Sequence, residues 1–318
     1  MPTDGQLCRR DGPRPPVLAL DIGGTKLAAG VVVKGGAVAS FLVAPTRVED
    51  GPESGLERLF DLGRQAVAES GVAWSEITAV GIGCGGPLDA DRGVLIAPPH
   101  LPGWVDVPVT ELAERSFGRP ASLENDASAA AAGEYCHGAG AGARTMVYLT
   151  VSTGVGGGVI IDGRLFRGPL GNGSELGHIT VDWRGRTCRG CGRRGCLEAY
   201  VSGSSIAERA REHGLTGAAE DVAAAAAEGV AAAVAVWEET IEALACGLTS
   251  IVNVFEPEVV VIGGGVSRAG EQLLGPVRER VQEKAMGSAG AGRIVRSALG
   301  DHVGVVGAAA IAHERVIA

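Results

Sequence analysis

A strand that ends in a glycine-rich turn occurs twice in this 318-residue sequence, and the elements after it follow in the same order each time. The first copy reads VLALDIGG, LAAGVVV and AVASFLV, then an apolar pattern of helical spacing over 52–69, then ITAVGIGCGG. The second reads TMVYLTVSTGVGGG and GVIID, then a long helix predicted over 230–255, then PEVVVIGGG. The repeat predicts two duplicated α/β units that face one another across a ligand-binding cleft.

The length of the chain also favours two domains. A strand at ASLEN, followed by a helix that begins at Asp126, places the boundary between them. The alanine-rich stretch over 222–236 keeps the apolar register up to Trp237 and predicts helix. The predicted organisation is a disordered lead-in at 1–16, a smaller N-terminal α/β domain at 17–123, a larger C-terminal α/β domain at 124–302, and a helix at 303–318 that returns to the first domain.

Charge and hydropathy narrow the class of partner. With 28 Lys and Arg against 37 Asp and Glu, the net charge of -9 disfavours nucleic acid as the main partner. No apolar run approaches the ~18–20 residues of a membrane helix, and the N-terminus lacks the apolar core of a signal peptide. We therefore expect a cytoplasmic protein that binds small molecules, with no membrane partner. The scattered cysteines, Cys8, Cys84, Cys136 and Cys246, are expected to be reduced rather than to form a disulfide framework.

The glycine-rich turns are candidate phosphate sites. In DIGGTK at 21–26, glycines let backbone N–H groups approach phosphate oxygens, and Asp21 could hold Mg²⁺ through water. The alternative is a tight β-turn with aspartate as a turn residue. STGVGGG at 152–158 repeats the arrangement in the second unit, which favours the phosphate interpretation. A third turn, at 263–265, precedes a helix and could accept an adenine or ribose, or could serve only as a helix entry beside a packed strand.

A carboxylate stands where a predicted strand meets a helix, in the segment Glu124-Asn125-Asp126. Asp126 is the candidate general base, because phosphoryl transfer to a hydroxyl needs a carboxylate that accepts the hydroxyl proton. The competing interpretation is an ordinary N-cap aspartate, a common residue at helix starts.

Three cysteines and a histidine have the spacing of a metal site. Cys188, Cys191 and Cys196 are separated by glycines that allow sharp turns, and His178 lies ten residues upstream, so the four could hold one tetrahedral zinc ion. A redox pair or free thiols are the alternatives. Glu175 and Glu198 bracket the cluster and could hydrogen-bond the hydroxyls of a sugar.

Taken together, these motifs resemble the repressor–ORF–kinase (ROK) family of sugar kinases, and within it the bacterial ATP-dependent glucokinases. The resemblance covers the chain from Val17 onward. Its motifs are DIGGTK at 21–26, GCGGPLD at 83–89, LPGW at 101–104, ENDASAAAAGE at 124–134, STGVGGG at 152–158, GSELGH at 173–178 and the cysteine cluster running into 195–198. The resemblance implies the actin-like ATPase fold, in which two ribonuclease-H-like domains flank a cleft.

The resemblance also implies a reaction, the transfer of the γ-phosphate of ATP to the 6-hydroxyl of a hexose, with glucose as the first expectation. N-acetylmannosamine, N-acetylglucosamine and other hexoses are alternatives within the family. A sugar-responsive transcriptional regulator is a further alternative, which we disfavour because only sixteen residues precede the first strand, too few for a helix-turn-helix. The family further implies Mg²⁺, a structural Zn²⁺ and a homodimer or homotetramer.

Carried over residue by residue, the resemblance assigns roles. Asp126 is the catalytic base. The sugar contacts are Gly86, Asn125, Asp126, Glu175, His178 and Glu198. The ATP contacts are Asp21, Gly23, Gly24, Thr25, Lys26, Thr153, Gly154, Gly156, Gly264 and Gly265. The zinc ligands are His178, Cys188, Cys191 and Cys196. Two positions depart from the family pattern: the first cysteine pair has one extra residue between its members, and Ser174 replaces the usual alanine.

Overall fold

Alternating strands and helices make up the chain, and the computed structural model describes Leu7, Cys8 and residues 14–169, 171–286 and 293–316. The strands are β1 Val17–Ile22, β2 Lys26–Val32, β3 Val38–Pro45, β4 Ala79–Cys84, β5 Leu88–Asp89, β6 Val94–Leu95, β7 Ala121–Asn125, β8 Met146–Val151, β9 Val155–Ile161, β10 Arg164–Leu165, β11 Val259–Gly263 and β12 Ile294–Arg296. The helices are α1 Gly51–Ser70, α2 Val109–Phe117, α3 Asp126–His137, α4 Glu198–Val201, α5 Gly203–Glu212, α6 Ala219–Ala227, α7 Ala231–Phe255, α8 Glu271–Lys284 and α9 Val303–Arg315.

The first sheet has the strand order β3-β2-β1-β4-β7. β1, β2 and β3 form an antiparallel meander, whereas β4 and β7 run parallel to β1. Buried side chains of these strands pack against the apolar face of α1, which ends where Gly71 adopts a left-handed φ of 72°. The predicted order of three strands, a helix near 52–69 and a further strand is confirmed.

The second sheet has the order β10-β9-β8-β11-β12, so it repeats the topology of the first. β11 runs parallel to β8, and β12 runs parallel to β11. The long helix predicted over 230–255 is α7, whose buried side chains belong to the core of this part of the chain. The third strand of the repeat is reduced to the two residues of β10. The duplication predicted from the sequence is therefore present in the topology.

Contacts divide the chain into two compact units. Unit 1 comprises Met1–Gly142, Ile160–Gly173 and Leu299–Ala318, and unit 2 comprises Ala143–Val159 and Ser174–Ala298. The sequence placed residues 124–302 in the second domain, but α3 and residues 160–173 lie in unit 1. For α3 the reason is its packing against α9, which is close because Gly133 and Gly307 stand where the two helices meet.

Two local expectations are wrong. The alanine-rich stretch is not one helix: α6 ends at Ala227 and α7 begins at Ala231, because Gly229 has a φ of 82° that a helix cannot continue. The expectation of reduced scattered cysteines fails for Cys8 and Cys136, which form a disulfide with a Cα–Cα distance of 5.5 Å.

Most of the lead-in that was predicted to be disordered, residues 1–16, lies outside the described residues. Leu7 is described, and it packs against the rest of the protein. Its side chain is buried, and its N–H donates to the Gly163 carbonyl at 3.0 Å. Across the parts of the chain that the structure describes, no helix has the length and apolar character needed to cross a membrane.

Because α3 and α9 approach closely, a methyl group added at residue 307 should lower the stability of the protein. A Cβ at residue 307 would collide with the Ala129 carbonyl, which belongs to the backbone of α3 and cannot rotate away. We expect Gly307→Ala to lower the free energy of unfolding by about 1–3 kcal/mol in a denaturant titration.

The matched control is Gly63→Ala in α1, where a Cβ would meet only movable side chains, such as Phe117 at 3.1 Å. There the change should stay below about 1 kcal/mol. A Gly307→Ala protein more stable than the wild type, as helix propensity alone would give, contradicts the close packing.

Candidate functional site

The carboxyl ends of β1, β4 and β7 bring several predicted site residues together in unit 1. Asp21 on β1 lies opposite Gly83 on β4, and the next residue of β4 lies opposite Asn125 on β7. A Cβ at Gly86 would be 3.9 Å from the Asn125 side-chain nitrogen, so the GCGGP turn lies beside that amide. Parallel strands that end at one edge therefore place Asp21, Gly86, Asn125 and Asp126 in one cluster.

Asn125, and not Asp126, is the N-cap of α3. Asn125 Oδ1 accepts the N–H groups of Ala127 at 3.0 Å and Ser128 at 3.1 Å. Asp126 is the first residue of the helix, and its Oδ1 accepts the Ala127 N–H at 2.8 Å. Asn125 therefore caps the helix, and the Asp126 side chain is exposed at its first turn.

Negative charge is poorly solvated at this cluster. The pKa of Asp21 is raised from 3.8 to about 7, chiefly by burial and then by the charge of Asp126, while the charge of Lys26 opposes the shift. The Asp126 side chain reaches solvent, yet the protein around it displaces enough water to raise its pKa as well, against the hydrogen bond from Ala127 and the charge of His100. The two aspartates therefore favour a proton or a cation beside them.

The Asp21 carboxylate lies beside the start of α9. The carboxylate lies against Gly304 in the first turn of α9, where any Cβ would collide with Asp21 Oδ2. Carboxylate oxygens near a helix N-terminus are held by its positive end, and they are the ligands that Mg²⁺ uses alongside water and phosphate. The donor set at Asp21 and Asp126 therefore fits Mg²⁺.

The turn between β1 and β2 has the hydrogen bonds of a tight β-turn, and its tip is exposed. The Gly23 N–H donates to the Lys26 carbonyl at 3.0 Å, and Thr46 Oγ1 donates to the Gly23 carbonyl at 2.6 Å, as in a tight hairpin turn. Gly23 thus shapes the turn rather than offering its amide to a ligand. Gly24 and Thr25 form the tip, where Thr25 is exposed.

In unit 2, the four predicted zinc ligands converge. His178 Nδ1 lies 3.7 Å from Cys188 Sγ, and Cys191 Sγ lies 3.5 Å from Cys196 Sγ. Ligand atoms of all four residues lie within 4.8 Å of one another. With Zn–S distances of about 2.3 Å, sulfurs in a tetrahedral site stand roughly 3.7 Å apart. The extra residue between the first two cysteines therefore does not prevent convergence, and three thiols with one imidazole fit zinc.

Glu198 connects this cluster to the glycine turn after β8. Its Oε2 accepts the Val155 N–H at 2.9 Å, and its Oε1 lies 3.2 Å from Cys188 Sγ. A Cβ at Gly154 would be 2.8 Å from Oε2, so the glycine makes room for the carboxylate. Glu198 was assigned as a sugar contact, and the structure shows it also bonded to the protein at both oxygens.

Glu175 follows a residue in an unusual conformation. Ser174 has a left-handed φ of 71°, and its carbonyl accepts the Leu176 N–H at 2.7 Å. The resulting turn exposes the Glu175 side chain and lets its carbonyl accept the His178 N–H at 3.1 Å. Glu175 and His178 are thereby brought together on one short segment.

Comparison with known proteins decides the family. The sequence model of the ROK family matches residues 17–315. The chain belongs to the ROK family. It is 38% identical over 320 residues to the glucokinase of Thermotoga maritima, covering 96% of this chain and 99% of that protein.

Solved structures agree. The ROK hexokinase of Thermus thermophilus superposes with a TM-score of 0.81 at 39% identity, covering 95% of this chain and 99% of that one. A ROK family glucokinase from Streptomyces griseus, in complex with glucose and AMPPNP, superposes with a TM-score of 0.77 at 33% identity, covering 93% and 98%. The family resemblance and the actin-like ATPase fold expected from the sequence are thus confirmed.

In the third glycine turn of this ROK protein, Gly264 and Gly265 have different surroundings. Gly264 has a φ of 81°, and a Cβ there would collide with the backbone of Val151, so its role is close packing. Gly265 has open space where its side chain would point, so a ligand could approach it. Thr153 is exposed and Gly156 lies in β9. The two alternatives left open by the sequence apply to different residues.

Sequence reasoning missed His100 in this ROK protein. Its imidazole lies against Gly85, where a Cβ would be 3.1 Å from Nε2, and its carbonyl would be 2.8 Å from a Cβ at Gly24. Burial lowers the pKa of His100, while the charge of Asp126 opposes the shift. An imidazole therefore stands beside the cluster, where burial disfavours its charged form and Asp126 favours it. A single histidine has no spacing pattern, so no local signal could have identified it.

The raised pKa of Asp21 predicts how stability depends on pH. Its contribution to the free energy of unfolding is favourable below its ordinary pKa of 3.8 and is lost as pH rises through about 7. In Mg²⁺-free buffer, Asp21→Asn should stabilise the ligand-free protein by about 1–2 kcal/mol at pH 8, because it removes a poorly solvated charge. Denaturant titrations at pH 4 and pH 8 measure the difference, which should vanish at pH 4. Equal effects at both pH values contradict the assignment.

Proposed function

We propose that this ROK protein is a glucokinase that transfers the γ-phosphoryl group of ATP to the 6-hydroxyl of glucose. The observation that carries the proposal is the position of Asp126, an exposed carboxylate at the start of α3 beside Asp21 and Asn125. Nearly full-length likeness to glucokinases supports the substrates, and the Streptomyces griseus relative holds glucose and AMPPNP.

In this reaction, the sugar O6 forms a bond to the γ-phosphorus while the bond from that phosphorus to the bridging oxygen of ADP breaks. Asp126 accepts the O6 proton, and its raised pKa makes it a better acceptor than an ordinary aspartate. Asn125, Gly86, Glu175, His178 and Glu198 serve as sugar contacts. Mg²⁺, when bound through Asp21, neutralises charge on the phosphate oxygens.

The nucleotide is held through glycine-turn residues. Gly24, Thr25, Lys26, Thr153 and Gly154 would orient the phosphates with N–H and side-chain donors, because phosphoryl transfer depends mainly on positioning and charge neutralisation. Gly265 would lie against the adenosine. Assembly as a homodimer or homotetramer, the absence of a nucleic-acid partner and the cytoplasmic location stay predictions of the sequence.

An ADP-release assay with a panel of hexoses and N-acetylhexosamines tests the function. We expect glucose to give the highest kcat/KM. Asp126→Asn should lower kcat by about 10²–10⁴-fold while glucose binding, measured calorimetrically, is retained. Wild-type turnover by the Asn variant would rule out Asp126 as the base.

The same panel separates the alternatives. Strong activity on N-acetylmannosamine or N-acetylglucosamine with little on glucose would replace the substrate and keep the kinase. A sugar-reversible shift of a DNA fragment without ADP formation would instead indicate a regulator.

We also propose that Cys188, Cys191, Cys196 and His178 hold one structural zinc ion. All four positions would be filled by protein, so the ion would supply no activated water. It would fix the loop that carries Glu198, because Glu198 follows the ligand Cys196 by two residues.

Purified protein should contain one zinc per chain by elemental analysis, and Cys191→Ser should lose it. The free energy of unfolding should fall by about 3 kcal/mol or more, since structural zinc binds peptides with about 10–16 kcal/mol. Cys246→Ser, which changes a free cysteine outside the cluster, is the control and should keep the zinc. Full stability and activity in a zinc-free wild type would defeat the proposal.

A further inference from the structure

One arginine of unit 1 joins two buried carboxylates. Arg167 follows β10, and its Nε donates to Glu124 Oε2 at 2.6 Å. Its Nη1 and Nη2 donate to the two oxygens of Glu314 at 3.1 and 2.6 Å. The glutamate side chains are only 2% and 4% exposed. The planar guanidinium fork is therefore fully engaged between β7 and α9.

Glu124 links Arg167 to the segment that carries Asp126, the proposed general base. Its Oε1 accepts the N–H of Asn125 at 3.0 Å, and Asn125 in turn caps α3. Arg315 Nη2 lies 3.6 Å from Glu124 Oε2 and adds a second cation. A continuous chain of hydrogen bonds thus runs from Arg167 through Glu124 to the residue that precedes Asp126.

The backbone of Arg167 fixes a second segment. Its carbonyl accepts the Gly173 N–H at 2.8 Å, and a Cβ at Gly173 would be 2.8 Å from that carbonyl, so only glycine fits. This bond ties Gly173 to Arg167, and Ser174 and Glu175 follow Gly173 directly in the sequence.

Stability alone does not explain the arrangement. Two carboxylates and an arginine out of water are often no better than apolar side chains of the same volume, because desolvation offsets their attraction. Charged hydrogen bonds fix the geometry of the side chains that they join, and the planar guanidinium of an arginine can bind two carboxylates in one plane, which a lysine cannot do. We expect such an arrangement beside a catalytic side chain that must be accurately oriented.

We propose that Arg167 is a positioning residue for phosphoryl transfer: through Glu124 it fixes the start of α3 and thereby the orientation of Asp126. The inference rests on the proposed kinase function. Arg167 contacts neither substrate in this role, so its loss should affect the chemical step more than nucleotide binding.

Kinetics of Arg167→Met and Arg167→Lys test the proposal. Arg167→Met should lower kcat by about 10- to 100-fold, with the KM for ATP within about two-fold of wild type, because a displaced base mainly slows the chemical step. Arg167→Lys should fall in between, since the ammonium keeps one carboxylate partner. It also keeps the test decisive if the Met variant does not fold.

The matched control is Arg119→Met. Arg119 is another half-buried arginine of unit 1, and it donates to the carbonyls of Ile77 and Trp74 near the opposite end of β7. It should lose stability but keep kcat within about two-fold. Wild-type kcat in both Arg167 variants, or an equal loss of kcat in Arg119→Met, overturns the proposal.

Amide hydrogen exchange gives a readout that does not depend on activity. Exchange at Asn125, Ala127 and Ser128 should accelerate in the Arg167 variants and not in Arg119→Met. If wild-type protein phosphorylates no hexose, the proposed function fails, and the exchange pattern alone decides the positioning claim. Unchanged exchange at these three amides in the Arg167 variants refutes it.

Discussion

Unit 1 depends on the placement of two carboxylates at the ends of two parallel strands, β1 and β7, which flank β4. The charge of Asp126 raises the pKa of Asp21, and the surrounding protein displaces water from both carboxylates. Such a pair persists only where the surrounding backbone leaves no other arrangement. Gly304 makes room for Asp21, because a Cβ at residue 304 would be 2.4 Å from Asp21 Oδ2. The strand order brings both acids to one edge, where ligands of α/β sheets bind.

The rest of unit 1 supports that edge. The glycine contact between α3 and α9 holds the helix that begins at Asp126, and Arg167 ties the preceding strand to the same α9. In unit 2 a comparable function falls to Glu198, which is bonded both to the glycine turn after β8 and to the cysteine cluster. Each unit thus has one charged side chain that connects a structural element to a predicted ligand-binding segment.

Features that depend on local periodicity or spacing could be predicted from the sequence. The strands, α1, α7 and the duplicated order follow from apolar patterns, and the convergence of His178 with three cysteines follows from their spacing. The role of Asp126 as general base stays a prediction, drawn from a strand-to-helix junction and from family resemblance.

Features that depend on the packing of distant segments could not be predicted. Arg167 reaches a glutamate 147 residues away, and Cys8 bonds a cysteine 128 residues away, with nothing local to mark either pair. The assignment of α3 to unit 1 rests on its contact with the last helix. The break at Gly229 was missed because the high helix propensity of alanine on both sides outweighed one glycine.

The claim that Asp126 accepts the hydroxyl proton in a poorly solvated site is tested most directly by the pH dependence of kcat/KM for glucose. A base with a raised pKa must lose its proton before it can act, so the acidic limb of the kcat/KM profile should be centred above the value of about 3.9 for an ordinary aspartate. An acidic limb centred at or below about 3.9 would contradict the account.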